Sequence, residues 1–64
     1  MWRYRIVYYD PTDNTKVWLK SRDEYANILL AYSAGVFHLN LGLVEEDENP
    51  HWVFESLEVY RENA

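Results

Sequence analysis

From Trp2 to Tyr9, apolar and polar side chains alternate. Trp2, Tyr4, Ile6 and Tyr8 fall on one side, and Arg3, Arg5, Val7 and Tyr9 on the other. A two-residue period kept up over this length predicts a half-buried β-strand. Asp10-Pro11-Thr12-Asp13-Asn14-Thr15 follows, a cluster of residues that fix or cap a turn. Alternation then resumes from Lys16 to Lys20, with Val17 and Leu19 on one face and Lys16, Trp18 and Lys20 on the other. The two runs predict a hairpin. Its far face would gather Arg3, Arg5, Lys16 and Lys20 around Trp18 and Tyr9.

The period changes at residues 21–35. Tyr25, Ile28, Leu29 and Tyr32 recur at i, i+3, i+4 and i+7, the spacing of one helical face. Ser21 and Glu24 stand at capping-box spacing, and Gly35 is placed to end the helix in a left-handed conformation. A helix is therefore predicted over 21–35, with Leu30 on its outward side beside Ala26 and Ala34. From Val36 to Val44 the alternation returns, with Phe37, Leu39, Leu41 and Leu43 opposite His38, Asn40 and Gly42. This predicts a strand, in which Gly42 marks a bulge or a close approach. Glu45 to Pro50 reads as a loop.

His51 to Arg61 reads two ways. As a strand it sets Val53, Leu57 and Val59 against Trp52, Phe54 and Tyr60, and puts Glu55 on the apolar face. As a helix it has Asn49 as cap, Pro50 in the first turn, and Val53, Leu57 and Tyr60 on one side. The strand is preferred because it would pair with residues 36–45. The expected fold is a single α+β domain over 1–64, ββαββ, with a four-stranded antiparallel sheet and one helix packed on one face. Its expected core is Tyr4, Ile6, Val17, Leu19, Tyr25, Ile28, Leu29, Tyr32, Phe37, Leu39, Leu41 and Leu57.

Composition sharpens this picture in one respect. At 64 residues, a chain buries only about 60% of its unfolded surface and needs additional help to be stable. There is no Cys, which rules out disulfides and thiolate metal sites and fits a reducing, cytoplasmic setting. Three Trp, six Tyr and two Phe leave an aromatic core or self-association as the remaining means. No stretch reads as a signal peptide or membrane span, so the chain is expected to be a complete cytoplasmic protein.

Charge divides along the chain. Residues 1–32 carry Arg3, Arg5, Lys16, Lys20 and Arg22 against four carboxylates, whereas residues 33–64 set Arg61 against Glu45, Glu46, Asp47, Glu48, Glu55, Glu58 and Glu62. Such asymmetry bears on partners rather than on fold. Catalytic sets are not apparent. Ser21 is explained as a cap, Ser33 and Ser56 have no visible histidine partner, and the two glycines cannot make a phosphate loop. The acidic run beside His51 lacks the EF-hand pattern, so no metal and no cofactor is expected. Basic residues around Trp18 suit stacked bases and phosphates, but the net charge of −5 opposes that ligand.

The expected function is a small non-enzymatic protein-binding module. It would be a regulator or inhibitor of a larger protein, of the kind frequent in phages and mobile elements, with homodimerisation expected as well. That expectation comes from type and not from a motif. Tyr9, Trp18, Arg3 and Arg5 on the open sheet face are the expected contacts, for a second copy or a partner, with Leu30, Trp52 and the acidic Glu45, Glu46, Asp47 and Glu48. Nucleic-acid binding by the first hairpin, or a structural homo-oligomer, are the alternatives.

Overall fold

In the computed structural model, residues 1–41 and 49–62 are described. The predicted hairpin forms as β1 (Trp2–Asp10) and β2 (Thr15–Lys20), antiparallel and in the register Asp10↔Thr15 to Arg5↔Lys20. Its turn is built as the composition implies. Asp10 Oδ1 accepts from Thr12 N at 3.0 Å and from Thr12 Oγ1 at 2.5 Å. Asn14 has φ of 61°, a left-handed conformation that asparagine tolerates better than most residues.

The helix lies later than the capping box implies. It is α1 (Ile28–Asn40), and its N-cap is Asn27, whose Oδ1 accepts from Leu30 N at 2.9 Å. Residues 21–27 are held elsewhere. Trp2 N donates to Tyr25 O at 2.8 Å and Tyr25 N to Trp2 O at 2.7 Å, so this segment runs beside the start of β1. Ser21 caps no helix. It is buried, its hydroxyl donating to Asp23 O at 2.9 Å and accepting from Tyr4 N at 3.3 Å.

Gly35 does not end the helix but sits inside it, buried against the sheet. A Cβ there would stand 2.6 Å from Leu57 Cδ1 and 3.2 Å from Tyr4 Cδ1. The glycine is needed for close approach, not for a left-handed turn. The strand expected at 36–44 is overturned where it is described, since residues 36–40 are the second half of α1. The run is rich in Leu, an unbranched residue that favours helices, and poor in β-branched residues. Residues 42–45 lie outside the described residues.

The last segment is a strand, β3 (Val53–Arg61), but it pairs with β1 and not with residues 36–45. Among the described residues the sheet has three antiparallel strands in the order β2-β1-β3. The fold is α+β with one helix, and the predicted fourth strand is not seen. The helix connects β2 to β3 and crosses over β1, as in a split βαβ unit. A bulge opposite Val7/Tyr8 resolves the misfit at Glu55. Val7 pairs with Ser56 and Tyr8 with Phe54, so Glu55 is the extra residue and leaves the apolar face.

The core lies between sheet and helix, around Tyr4, Ile6 and Tyr8 of β1. Val17, Leu19, Tyr25, Leu39 and Leu57 pack partly buried at its edge. The expected helical stripe is overturned. Ala31 and Gly35 are the buried helical positions, while Ile28, Leu29, Tyr32, Phe37 and Leu41 are exposed. Tyr4 from β1 and Leu57 from β3 fill the space beneath Gly35, which leaves room only for a small side chain above them. Tyr4 also ties the two layers together, its hydroxyl sharing a 2.6 Å hydrogen bond with His38 Nδ1. Burial, with Tyr25 and Asp23 nearby, raises the pKa of the Tyr4 hydroxyl. His38, expected on an outward strand face, thus faces the sheet.

Candidate functional site

Alternation along β1 sends Tyr4, Ile6 and Tyr8 toward α1 and Arg3, Arg5, Val7 and Tyr9 to the far side. Partners directly opposite in an antiparallel pair share a face. The pairs Val7↔Trp18 and Tyr9↔Lys16 on one flank, and Val7↔Ser56 and Tyr9↔Val53 on the other, therefore assemble the far face. Trp18 is 51% exposed on it, and Val53 is similarly open. Val7, between Trp18 and Ser56, is buried although α1 lies on the other side of the sheet. The centre of the far face is apolar.

Charges of both signs surround that centre. Arg5 Nε donates to Glu58 Oε1 at 2.6 Å while its guanidinium lies 5.0 Å from the Tyr60 ring. Lys16 Nζ stands 3.2 Å from Glu55 Oε2, reaching across β1 to the bulged residue of β3. Arg3 pairs with Glu62 and, at 3.2 Å, with Glu24. It also donates to the Ser21 and Arg22 carbonyls at 2.8 and 3.2 Å. The hydrogen bond from Arg5 holds the Glu58 carboxyl below the usual glutamate range against desolvation, and Coulombic attraction to Arg5 adds to it. The two charge zones of the sequence thus meet within one molecule. Glu58 and Glu55 of β3 face Arg5 and Lys16, and Glu62 just beyond it faces Arg3.

The remaining expected contacts are spread out. Leu30 is exposed on α1, on the layer opposite Trp18. Trp52 is an internal brace. It packs on Tyr8 with ring centres 5.6 Å apart, and its Nε1 donates to Asp10 Oδ2 at 3.3 Å. His51 Nε2 meets the same oxygen at 3.3 Å. Thr12 first, with His51 adding to it, keeps the Asp10 carboxyl below the usual range against desolvation. Tyr9 donates its hydroxyl to Asn14 of the turn. Glu45, Glu46, Asp47 and Glu48 lie outside the described residues. Sequence reasoning missed the roles of Glu55, Glu58 and Val53, because they reach the far face only through the β1–β3 register and its bulge.

Among the described residues there is no cluster of three or more His, Asp or Glu placed to hold a metal. No helix among them is long and apolar enough to cross a membrane. Comparison with protein-family models, curated proteins and solved structures finds no match to this chain.

Proposed function

We propose that this chain is a protein-binding module of the regulator or inhibitor kind, with no chemistry of its own, and that its far sheet face meets a larger protein partner. The observation that carries this reading is the make-up of that face. An exposed apolar centre of Trp18 and Val53, with Val7 buried between them, is ringed by Arg5–Glu58 and Lys16–Glu55 pairs. Protein interfaces have this anatomy, with an apolar, aromatic centre and a rim of mixed polarity. Trp, Tyr and Arg are the residues on which binding energy concentrates.

The same ion pairs weigh against the nucleic-acid alternative. Phosphate affinity comes from cations free to displace counterions, and Arg3, Arg5 and Lys16 each already face a carboxylate. Immobilised chain, compared with its Trp18→Ala variant, tests the proposal. A protein retained from lysate by the wild type and lost with Trp18→Ala supports it. Equal retention by both, or a salt-sensitive shift of single-stranded RNA with no retained protein, overturns it.

A further inference from the structure

The helix carries a second surface, independent of the far face. Across its 13 residues α1 has no Asp, Glu, Lys or Arg, so its outer side gains nothing from water beyond what Ser33, Asn40 and the Tyr32 hydroxyl provide. Leu30, Ala34, Phe37 and the capping residue Leu41 follow one another at steps of four, three and four. That is the spacing of a coiled-coil seam, in which each knob enters a hole on a facing helix. Here the seam is open at its three large positions, while Ala34 between them is half-buried against the core. Leu30 is 51%, Phe37 65% and Leu41 58% exposed, with Leu29 exposed beside them.

We infer that a second copy of this chain docks on the seam, with the two α1 helices antiparallel about a two-fold axis between Gly35 and Val36. The order of side chains argues for a copy of itself. Under such an axis Leu30 of one copy meets Leu41 of the other, and Phe37 meets Ala34. Each large ring finds a small partner, and each leucine another leucine, as an isologous contact requires. Charge argues the same way. A chain of net charge −5 repels its own kind, and two uncharged helices can touch without bringing carboxylates together. The sheet edges are less suited, since β2 carries Lys16 and Lys20 and β3 carries Glu55 and Glu58.

Area sets the strength. Four large side chains at half exposure or more offer on the order of 400 Å² per copy, against about 800 Å² per partner in a standard complex. The dimer is therefore reversible and concentration-dependent. It leaves the two Trp18 faces pointing outward, since α1 and Trp18 lie on opposite sides of the sheet.

The chain has no cysteine, which makes the test clean. Leu30→Cys and Leu41→Cys, both at exposed sites, are purified separately and then mixed under mild copper–phenanthroline oxidation. The mixture is expected to give a disulfide between the two variants, while each variant alone stays uncrosslinked. Light scattering of the wild type from about 10 µM to about 1 mM should show mass rising toward twice that of the monomer. Phe37→Glu should remain monomeric with an unchanged circular dichroism spectrum. A monomer throughout that range, or Leu30→Cys crosslinking to itself as readily as to Leu41→Cys, overturns the assignment.

Discussion

Gly35 shows how one residue fits two incompatible readings. Glycine marks a helix end when it takes a left-handed conformation and a close approach when it does not. Sequence offers no means of choosing, because the choice depends on Leu57 and Tyr4 arriving from other strands. Gly35→Val is expected to destabilise the fold by about 1–3 kcal/mol through overpacking. Gly35→Ala should cost less, because Leu57 Cδ1 can turn aside and alanine favours the helix by ~1 kcal/mol. Chemical denaturation of both variants checks this, and equal loss in the two would contradict it. Ser21 is a similar case. Its hydroxyl looks like a cap in the sequence and is a buried two-way hydrogen bond in the fold. Ser21→Ala leaves the Tyr4 N–H unsatisfied and should cost about 1–3 kcal/mol.

At the scale of elements, the β1–β2 hairpin was fully legible. Its signals are local: alternation, turn chemistry and a short connection. The helix was legible in kind but not in place. Asn27 is as good a cap as Ser21, and what decided between them was the bridge from Tyr25 to Trp2, a contact with the far end of the chain. The alternation of Phe37, Leu39 and Leu41 pointed to a strand, yet leucine is as much at home in a helix, so composition outweighed period. β3 was legible as a strand, whereas its neighbour was not, because strand order depends on the helical crossover. Two carboxylates fasten β3 to the hairpin, Asp10 through Trp52 and His51, and Glu58 through Arg5. Both have lowered pKa values. A lowered carboxylate pKa gives stability that is present above the unfolded value, about 4, and lost as pH falls through the folded value. The melting temperature is therefore expected to hold level from pH ~7 to ~5 and to drop below pH ~4. Combining Asp10→Asn with Glu58→Gln should flatten that acid limb, and an unchanged limb would count against the clamp.

For the whole molecule, the two halves of the sequence differ in charge because they are complements of one another. Glu55, Glu58 and Glu62 from the acidic half meet Lys16, Arg5 and Arg3 from the basic half. Among the described residues, exposed apolar side chains stand on two opposite sides: Trp18 on the open sheet, and Leu30, Phe37 and Leu41 on the helix. The faces of Tyr9 and Trp18 on the hairpin were legible from alternation, because face is a local property of a strand, whereas Val53, Glu55 and Glu58 arrive there only through the β1–β3 register. Of the helical seam, Leu30 and Ala34 were read as outward, whereas Phe37 and Leu41 were hidden because the alternation after Gly35 reads as a strand. A small core makes such outer surfaces matter, for among the described residues Ile6 alone of the large side chains is fully buried. We propose that these two surfaces do separate work, Trp18 for a partner protein and the helix for a second copy. Measuring partner retention and solution mass side by side for Trp18→Ala and Phe37→Glu tests it most directly. Trp18→Ala should lose the partner and keep the concentration-dependent mass, while Phe37→Glu should lose the mass increase and still retain the partner. Loss of both properties in either folded variant would contradict the account.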